Sequence, residues 1–305
     1  MTRYLVVKLL EAVVAIWGVV TIVFFVSRIL GDPTVLLLPV GAGAQEIETL
    51  RTALGLDRPL AEQYVYSLLA MMKGDFGTSF QHVRPALDVV LERMPATASL
   101  AGLALLFGTL IGAIAGAIAA LMRGTVAELI VMIAALLGQA TPTFWLGIML
   151  ILLFSVQLGW LPTGGAGGWE NFVLPGLTLS VFVSASIARL LRSSLLDIMR
   201  EDYVRTARAK GLMPRTVFFW HIARNALIPV VTMIGIIAGE LLGGSVVIET
   251  VFAWPGVGRV IVQAIQAQDF PVIQAGVAVV ASIFVVVNLL VDLLYGVLDP
   301  RIRRG

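Results

Sequence analysis

The sequence predicts an all-α membrane protein: six transmembrane helices, both termini cytoplasmic, a large extracytoplasmic segment after the first helix, and a charged cytoplasmic helix between the fourth and fifth. Three observations carry this. The 305 residues are 59% hydrophobic and 13% charged, with mean hydropathy +0.96, a balance that leaves too little polar surface to cover a water-soluble domain. Apolar runs long enough for a hydrocarbon core about 30 Å thick, roughly 20 residues of helix each, fall at 9–30, 99–121, 128–157, 173–196, 228–249 and 275–297. The charges are sorted: Arg200 to Pro229 holds six Lys or Arg against three acids (Asp197 included), whereas 31–98 holds eight acids and five bases. Because basic residues are retained inside, that island lies in the cytoplasm with Arg3, Lys8, Arg123, Arg301, Arg303 and Arg304. The segments 31–98, 159–171 and 249–274 are then outside.

This divides the chain into a first transmembrane helix (1–30), an extracytoplasmic segment (31–98), a five-helix core (99–297) with a cytoplasmic loop at 197–227, and a tail (298–305). The first run follows Arg3 and Lys8 and is long for a signal core, with no small-x-small site at its end, so it reads as an uncleaved span. In the outer segment, turns are expected at Gly31-Asp32-Pro33 and Gly74-Asp75-Phe76-Gly77, and a helix from Gln45 to Leu54. The second span carries Gly108, Gly112 and Gly116, and the fifth Gly235, Gly239 and Gly243. Small residues at every fourth position let helix backbones approach closely in lipid, so both sets are read as packing faces. Pro142 and Pro175 remove a backbone donor each and should kink or open the third and fourth spans.

Ionisable residues in the spans are few. Glu240, near the middle of the fifth, either lines a water-filled path or is a hydrogen-bonded structural carboxyl. Arg189 and Arg192 are placed to snorkel to the inner interface, and Arg189 is within reach of an ion pair with Asp292. In the island, Asp202 to Lys210 has helix-compatible composition, Gly211 falls where a left-handed helix end favours glycine, and Pro214 suits the first position of a second helix.

Several chemistries are absent. None of Lys8, Lys73 and Lys210 completes a G-x-x-x-x-G-K-[ST] phosphate loop, so ATP hydrolysis of that kind is expected in another subunit. His82 and His221 fall on opposite sides of the membrane, and there is no cysteine, so no metal site is expected. No G-x-S-x-G elbow is present, and no catalytic residue is assigned. The small net charge of +2, with the Arg clusters at the membrane face, argues against nucleic acid as a partner.

Tyr203-Val-Arg-Thr-Ala-Arg-Ala-Lys-Gly-Leu212, followed by His221-Ile-Ala-Arg-Asn-Ala-Leu-Ile-Pro229, resembles the cytoplasmic coupling loop of ABC importer permeases of the dipeptide, oligopeptide, glutathione and nickel branch. Further motifs carry the resemblance along nearly the whole chain: Gly31-Asp32-Pro33, Gly74-Asp75-Phe76-Gly77, Leu158-Gly-Trp-Leu-Pro162, Glu249-Thr-Val-Phe-Ala-Trp-Pro-Gly256 and Leu298-Asp-Pro-Arg-Ile-Arg303. Against the broad family pattern E-A-A-x3-G-x9-I-x-L-P, only Ala207 and Gly211 match in register, and the RTARAKG form is the one expected of the peptide branch.

The resemblance implies a transport subunit that forms half of a pathway for peptides, di- or oligopeptides first, with glutathione or nickel chelates as the alternative. It implies that the helix ending at Gly211 couples to a separate ATPase, with Tyr203, Ala207, Ala209 and Gly211 in close contact and Arg205, Thr206, Arg208 and Lys210 around them. ATP and Mg would be bound by two partner ATPase subunits, and this chain would hold no cofactor. A second homologous permease, making a heterodimer, and an extracytoplasmic substrate-binding protein would complete the assembly in a bacterial or archaeal plasma membrane. Glu249, Trp254, Pro255 and Gly256 would line the outer gate, and Glu240 and Asp269 are candidate substrate ligands on physical grounds alone. A stand-alone secondary transporter is the reading from another class; it would show internal repeats and several deep ionisable groups, and only Glu240 lies deep.

Overall fold

A computed structural model of the chain describes residues 2–29, 34, 38 and 43–298. The turn expected at Gly31-Asp32-Pro33 and the tail from Asp299 onward lie outside the described residues. Helix dominates, as it must where backbone groups in lipid have to satisfy one another within the segment. Among the described residues there is no strand, only an isolated antiparallel bridge between Thr78 and Pro85. Among the described residues, five helices are long and apolar enough to cross a membrane, or six if one bent pair forms a single span. Two compact units are present, 1–97 with 255–285 and 98–254 with 286–305.

In the first unit, α1 (Thr2–Ile29) exposes most of its apolar side chains, as a helix against lipid does. The helix α2 (Ala44–Ala53) occupies the stretch read as helical, and α3 (Leu60–Met71) follows it. Tyr64 of α3 stacks against Phe25, meets Phe24 edge-on, and shares a 2.7 Å hydrogen bond with Thr21. The turn at 74–77 closes as expected, with Asp75 Oδ1 accepting from the Gly77 amide at 2.9 Å. The core joins α4 (Ala86–Leu91) to α13 (Val257–Gln266) and the start of α14 (Phe270–Leu298) through Val89, Val90, Val260, Phe270 and Ile273.

The second unit is built on α8 (Glu170–Ile198), the most buried of the candidate spans. Against it lies α5 (Met94–Leu121), and the glycine face is the reason the two come so close. A Cβ on Gly108 would stand 2.5 Å from Val183 Cβ, one on Gly112 2.7 Å from the Ser184 carbonyl, and one on Gly116 2.6 Å from the Ala188 carbonyl. In the fifth span, now α11 (Arg224–Gly244), Gly235 faces Val291 so closely that a Cβ would meet its Cγ2 at 2.1 Å; Gly239 is buried and Gly243 half-buried.

The span expected over 128–157, with a kink or opening at Pro142, is two helices, α6 (Val126–Ala140) and α7 (Thr143–Leu150), the latter running on as a π-helix over Ile151–Gln157. They meet at 102°. Proline disfavours the helical conformation of the residue before it, and Thr141 is extended at φ −74, ψ 125, with Pro142 at ψ 128. Each half is then roughly 22 Å long at about 1.5 Å per residue, short of a full crossing. Pro175, by contrast, lies in the second turn of α8, which runs on unbroken. The arginines of α8 also find partners: Arg192 Nε donates to Glu128 Oε1 at 2.8 Å, and Arg189 reaches Gln139 on α6, not Asp292. The fifth span ends at Gly244, and Glu249 falls on a separate short helix, α12 (Val246–Val251).

Candidate functional site

The island between α8 and α11 folds as α9 (Asp202–Ala209), a turn, and α10 (Pro214–Thr216), which continues through a π-helix over Val217–Ala223 into α11. Asp202 in the first turn and Arg208 in the last complement the helix dipole. The end is closed by two bonds, Leu212 N–H to the Ala207 carbonyl at 3.4 Å and Gly211 N–H to the Arg208 carbonyl at 3.0 Å, with Gly211 at φ +76. This is the paired closure that a left-handed glycine permits, and most other residues would be strained there.

The orientation of α9 differs from the expectation. Val204 and Ala207 are buried in this chain, one turn apart on the side that packs toward the π-helix, where Val217 and Ile222 are buried as well. Two apolar residues at i and i+3 anchor a short helix by that face, so Ala207 supports the helix and does not present itself outward. At about 100° per residue, the opposite face is Asp202, Arg205, Thr206 and Ala209, all exposed; Tyr203, Lys210 and Arg208 flank it. The Asp202–Arg205 pair at 3.3 Å is fully on the surface and adds little. Gly211 is exposed, and beyond it Leu212 and Met213 are 41% and 74% exposed. These two apolar side chains extend the basic face. Their signal in the sequence was the Leu-Met pair placed between Gly211 and Pro214 in an otherwise polar stretch.

The other predicted residues are placed differently. Glu240 is exposed on α11. Glu249 is fully buried and accepts from Ser245 Oγ at 3.1 Å, while its carbonyl accepts the Trp254 amide at 2.7 Å. Trp254 is buried edge-on against Phe172, ring centroids 4.4 Å apart. Residues 249–254 therefore make a packed turn. Pro255 is half-buried, and Gly256 is buried as the cap of α13, where the Val257 amide donates to Thr97 Oγ1 at 2.9 Å.

Asp269 is buried at the start of α14 and is occupied by this chain's own donors: Ser79 Oγ at 2.6 Å and the Gln81 amide at 3.2 Å. It holds the loop 78–85, in which Val83 sits at φ 51, an unusual conformation for a β-branched residue. Beside it is a cleft of about 500 Å³ bordered by Gln81, His82, Gln263, Gln266 and Asp269. Asp269→Ala leaves the Ser79 hydroxyl and Gln81 amide without their acceptor, which should destabilise the loop by about 2 kcal/mol. Faster amide exchange across 79–84, with α11 unaffected, is the expected result.

The sequence matches the family described as binding-protein-dependent transport system inner membrane component over residues 93–304, and the N-terminal membrane component of such systems over residues 1–101. It is 43% identical over 304 residues to the glutathione transport system permease protein GsiC of Escherichia coli, covering 99% of each chain, and equally to that of Shigella flexneri. Among solved structures, an amino acid ABC transporter aligns with TM-score 0.54 at 19% identity, over 70% of this chain and 94% of that one. An inward-facing MetNI methionine ABC transporter aligns with TM-score 0.57 at 20% identity, over 69% and 96%. At that identity the likeness shows the fold alone.

Proposed function

This chain belongs to the family of binding-protein-dependent transport system inner membrane components and is a permease of an ABC importer, and we propose that it forms half of the path by which glutathione or short peptides enter a bacterial cell. The observation that supports this cargo is the 43% identity, end to end, with permeases named for glutathione transport. Di- and oligopeptides are the cargo that the sequence motifs imply first, and glutathione, itself a tripeptide, stands level with them.

In this reading ATP and Mg are bound by separate ATPase subunits. The face of Arg205, Thr206 and Ala209, flanked by Arg208 and Lys210 and extended past Gly211 by Leu212 and Met213, rests in a groove on one of them. Closure of the ATPases then moves α9 and the helices behind it as rigid bodies, switching the cavity between inward and outward access. A second homologous permease completes the pore, and an extracytoplasmic binding protein delivers the cargo. Both termini lie in the cytoplasm, and Glu240, exposed on α11 of the single chain, faces the path or the second permease.

Proteoliposomes holding this chain with its co-expressed permease, ATPases and binding protein are expected to accumulate labelled glutathione only when ATP is present on the ATPase side. Excess dipeptide should compete. ATP-independent accumulation by this chain alone would overturn the importer reading, and ATP-driven dipeptide uptake without glutathione uptake would move the cargo to peptides.

A further inference from the structure

The side chain of Tyr203 does a different job from its neighbours on α9. Its hydroxyl lies 3.0 Å from Asn225 Nδ2 and donates toward the His221 carbonyl at 3.4 Å, while Asn225 Nδ2 donates to that same carbonyl at 2.9 Å. A carbonyl has two lone pairs, so it can accept both donors. The three groups close a triangle between α9 and the next long helix. Among the described residues, these are the only side-chain hydrogen bonds from 202–209 to any residue beyond 212.

The triangle sits where the π-helix of Val217–Ala223 returns to α geometry at Arg224. A π turn holds one more residue than an α turn, and such turns concentrate at functional sites. Losing or gaining that residue rotates everything downstream by about 100° relative to what precedes it. The apolar contact of Val204 and Ala207 is non-directional and lets α9 slide over the π segment. Hydrogen bonds to one carbonyl do not.

We propose that Tyr203 and Asn225 are positioning residues, a latch that passes displacement of α9 into α11 through the His221 carbonyl at the π-to-α junction. The proposal rests on the reading that α9 docks on an ATPase, and it removes the Tyr203 hydroxyl from that contact.

The test uses the whole complex of both permeases and ATPases in nanodiscs, with amide exchange read by mass spectrometry before and after trapping with ATP and vanadate. With Tyr203 and Asn225 in place, trapping should change exchange at 202–211 and again at 217–230, by about threefold or more. In Tyr203→Phe and in Asn225→Ala the first change should persist and the second be lost. The double variant should be no worse than either single one, because the three groups act as a unit. ATPase co-purification and nucleotide trapping should match the unaltered complex. Retention of the 217–230 response in both single variants overturns the latch, as does its absence in the unaltered complex that traps nucleotide. Loss of ATPase co-purification in Tyr203→Phe also overturns it, by placing that hydroxyl in the docking contact. If the unaltered chain recovers no ATPase at all, the docking reading itself falls.

Discussion

Ala209→Glu is expected to strip the ATPase subunits from the purified complex while leaving the permease folded. Ala209 lies at the centre of the outward face of α9, between Arg205 and Thr206, with its side chain in solvent. A glutamate there points into solvent and can at most pair with Arg205 one turn back, an exposed pair that adds little, so folding is unaffected. Against a partner it inserts bulk and a negative charge at the middle of a contact whose surroundings are basic. Central contact positions dominate binding energy, and a loss of roughly tenfold or more in co-purified ATPase, about 1.4 kcal/mol or above, is the expected size. Ala207→Glu provides the contrast. Ala207 is only 5% exposed and packs inward, so its replacement should lower the yield of folded permease itself. If the two variants lose ATPase equally while both stay folded, the outward face has been misassigned.

Gly112→Leu should give the largest loss of stability. Even a single added carbon at Gly112 would lie 2.7 Å from the Ser184 carbonyl oxygen and 2.9 Å from Ile187 Cβ, and the first of these is backbone that cannot rotate away. The neighbouring positions leave no room to tilt, since Gly108 and Gly116 are equally tight against Val183 and Ala188. The helices must separate, losing the close packing that holds helices together in lipid, where no hydrophobic drive replaces it. Overpacking of this kind costs about 3 kcal/mol or more. Size-exclusion chromatography in mild detergent should show loss of the monodisperse peak; a variant with unchanged elution and melting temperature would contradict the close approach of α5 and α8. Gly102, on the same helix with open space around it, is the control position.

What could be read in the sequence was what is decided within a few residues. Gly211 and Pro214 punctuate the island by backbone chemistry alone, so α9 and its left-handed end were legible, as were the turn at Gly74-Asp75-Phe76-Gly77 and the helix 44–53. The glycine face of α5 was visible for the same reason, because period four on a helix is a local pattern. What was hidden depended on partners distant in the chain. Which side of α9 faces out is fixed by Val217 and Ile222, and Val204 and Ala207 look no different from an exposed pair until those partners are placed. The helix 60–71 reads as part of a polar segment, because its own Tyr64 is matched to Phe24 and Phe25 some forty residues earlier. Asp269 and Ser79 are 190 residues apart, and nothing near either one announces the bond. Pro142 announced a disturbance, but the angle of 102° is set by how both halves pack on α8.

The closure at Gly211 has a further consequence, one of entropy. Eight residues in water are far too few to hold a helix by themselves, since nucleation is unfavourable and short helices are marginal. Here the two inward side chains and the left-handed glycine hold α9 in shape through contacts within this chain. A docking segment that had to fold on arrival would give up about 2–5 kcal/mol of its interaction energy to ordering. A segment already held in shape by its own chain would, in the proposed docking on an ATPase, not wait on folding of the contact surface. Its on-rate should then be governed by diffusion and by the field of Arg205, Arg208 and Lys210, and should fall as salt is raised.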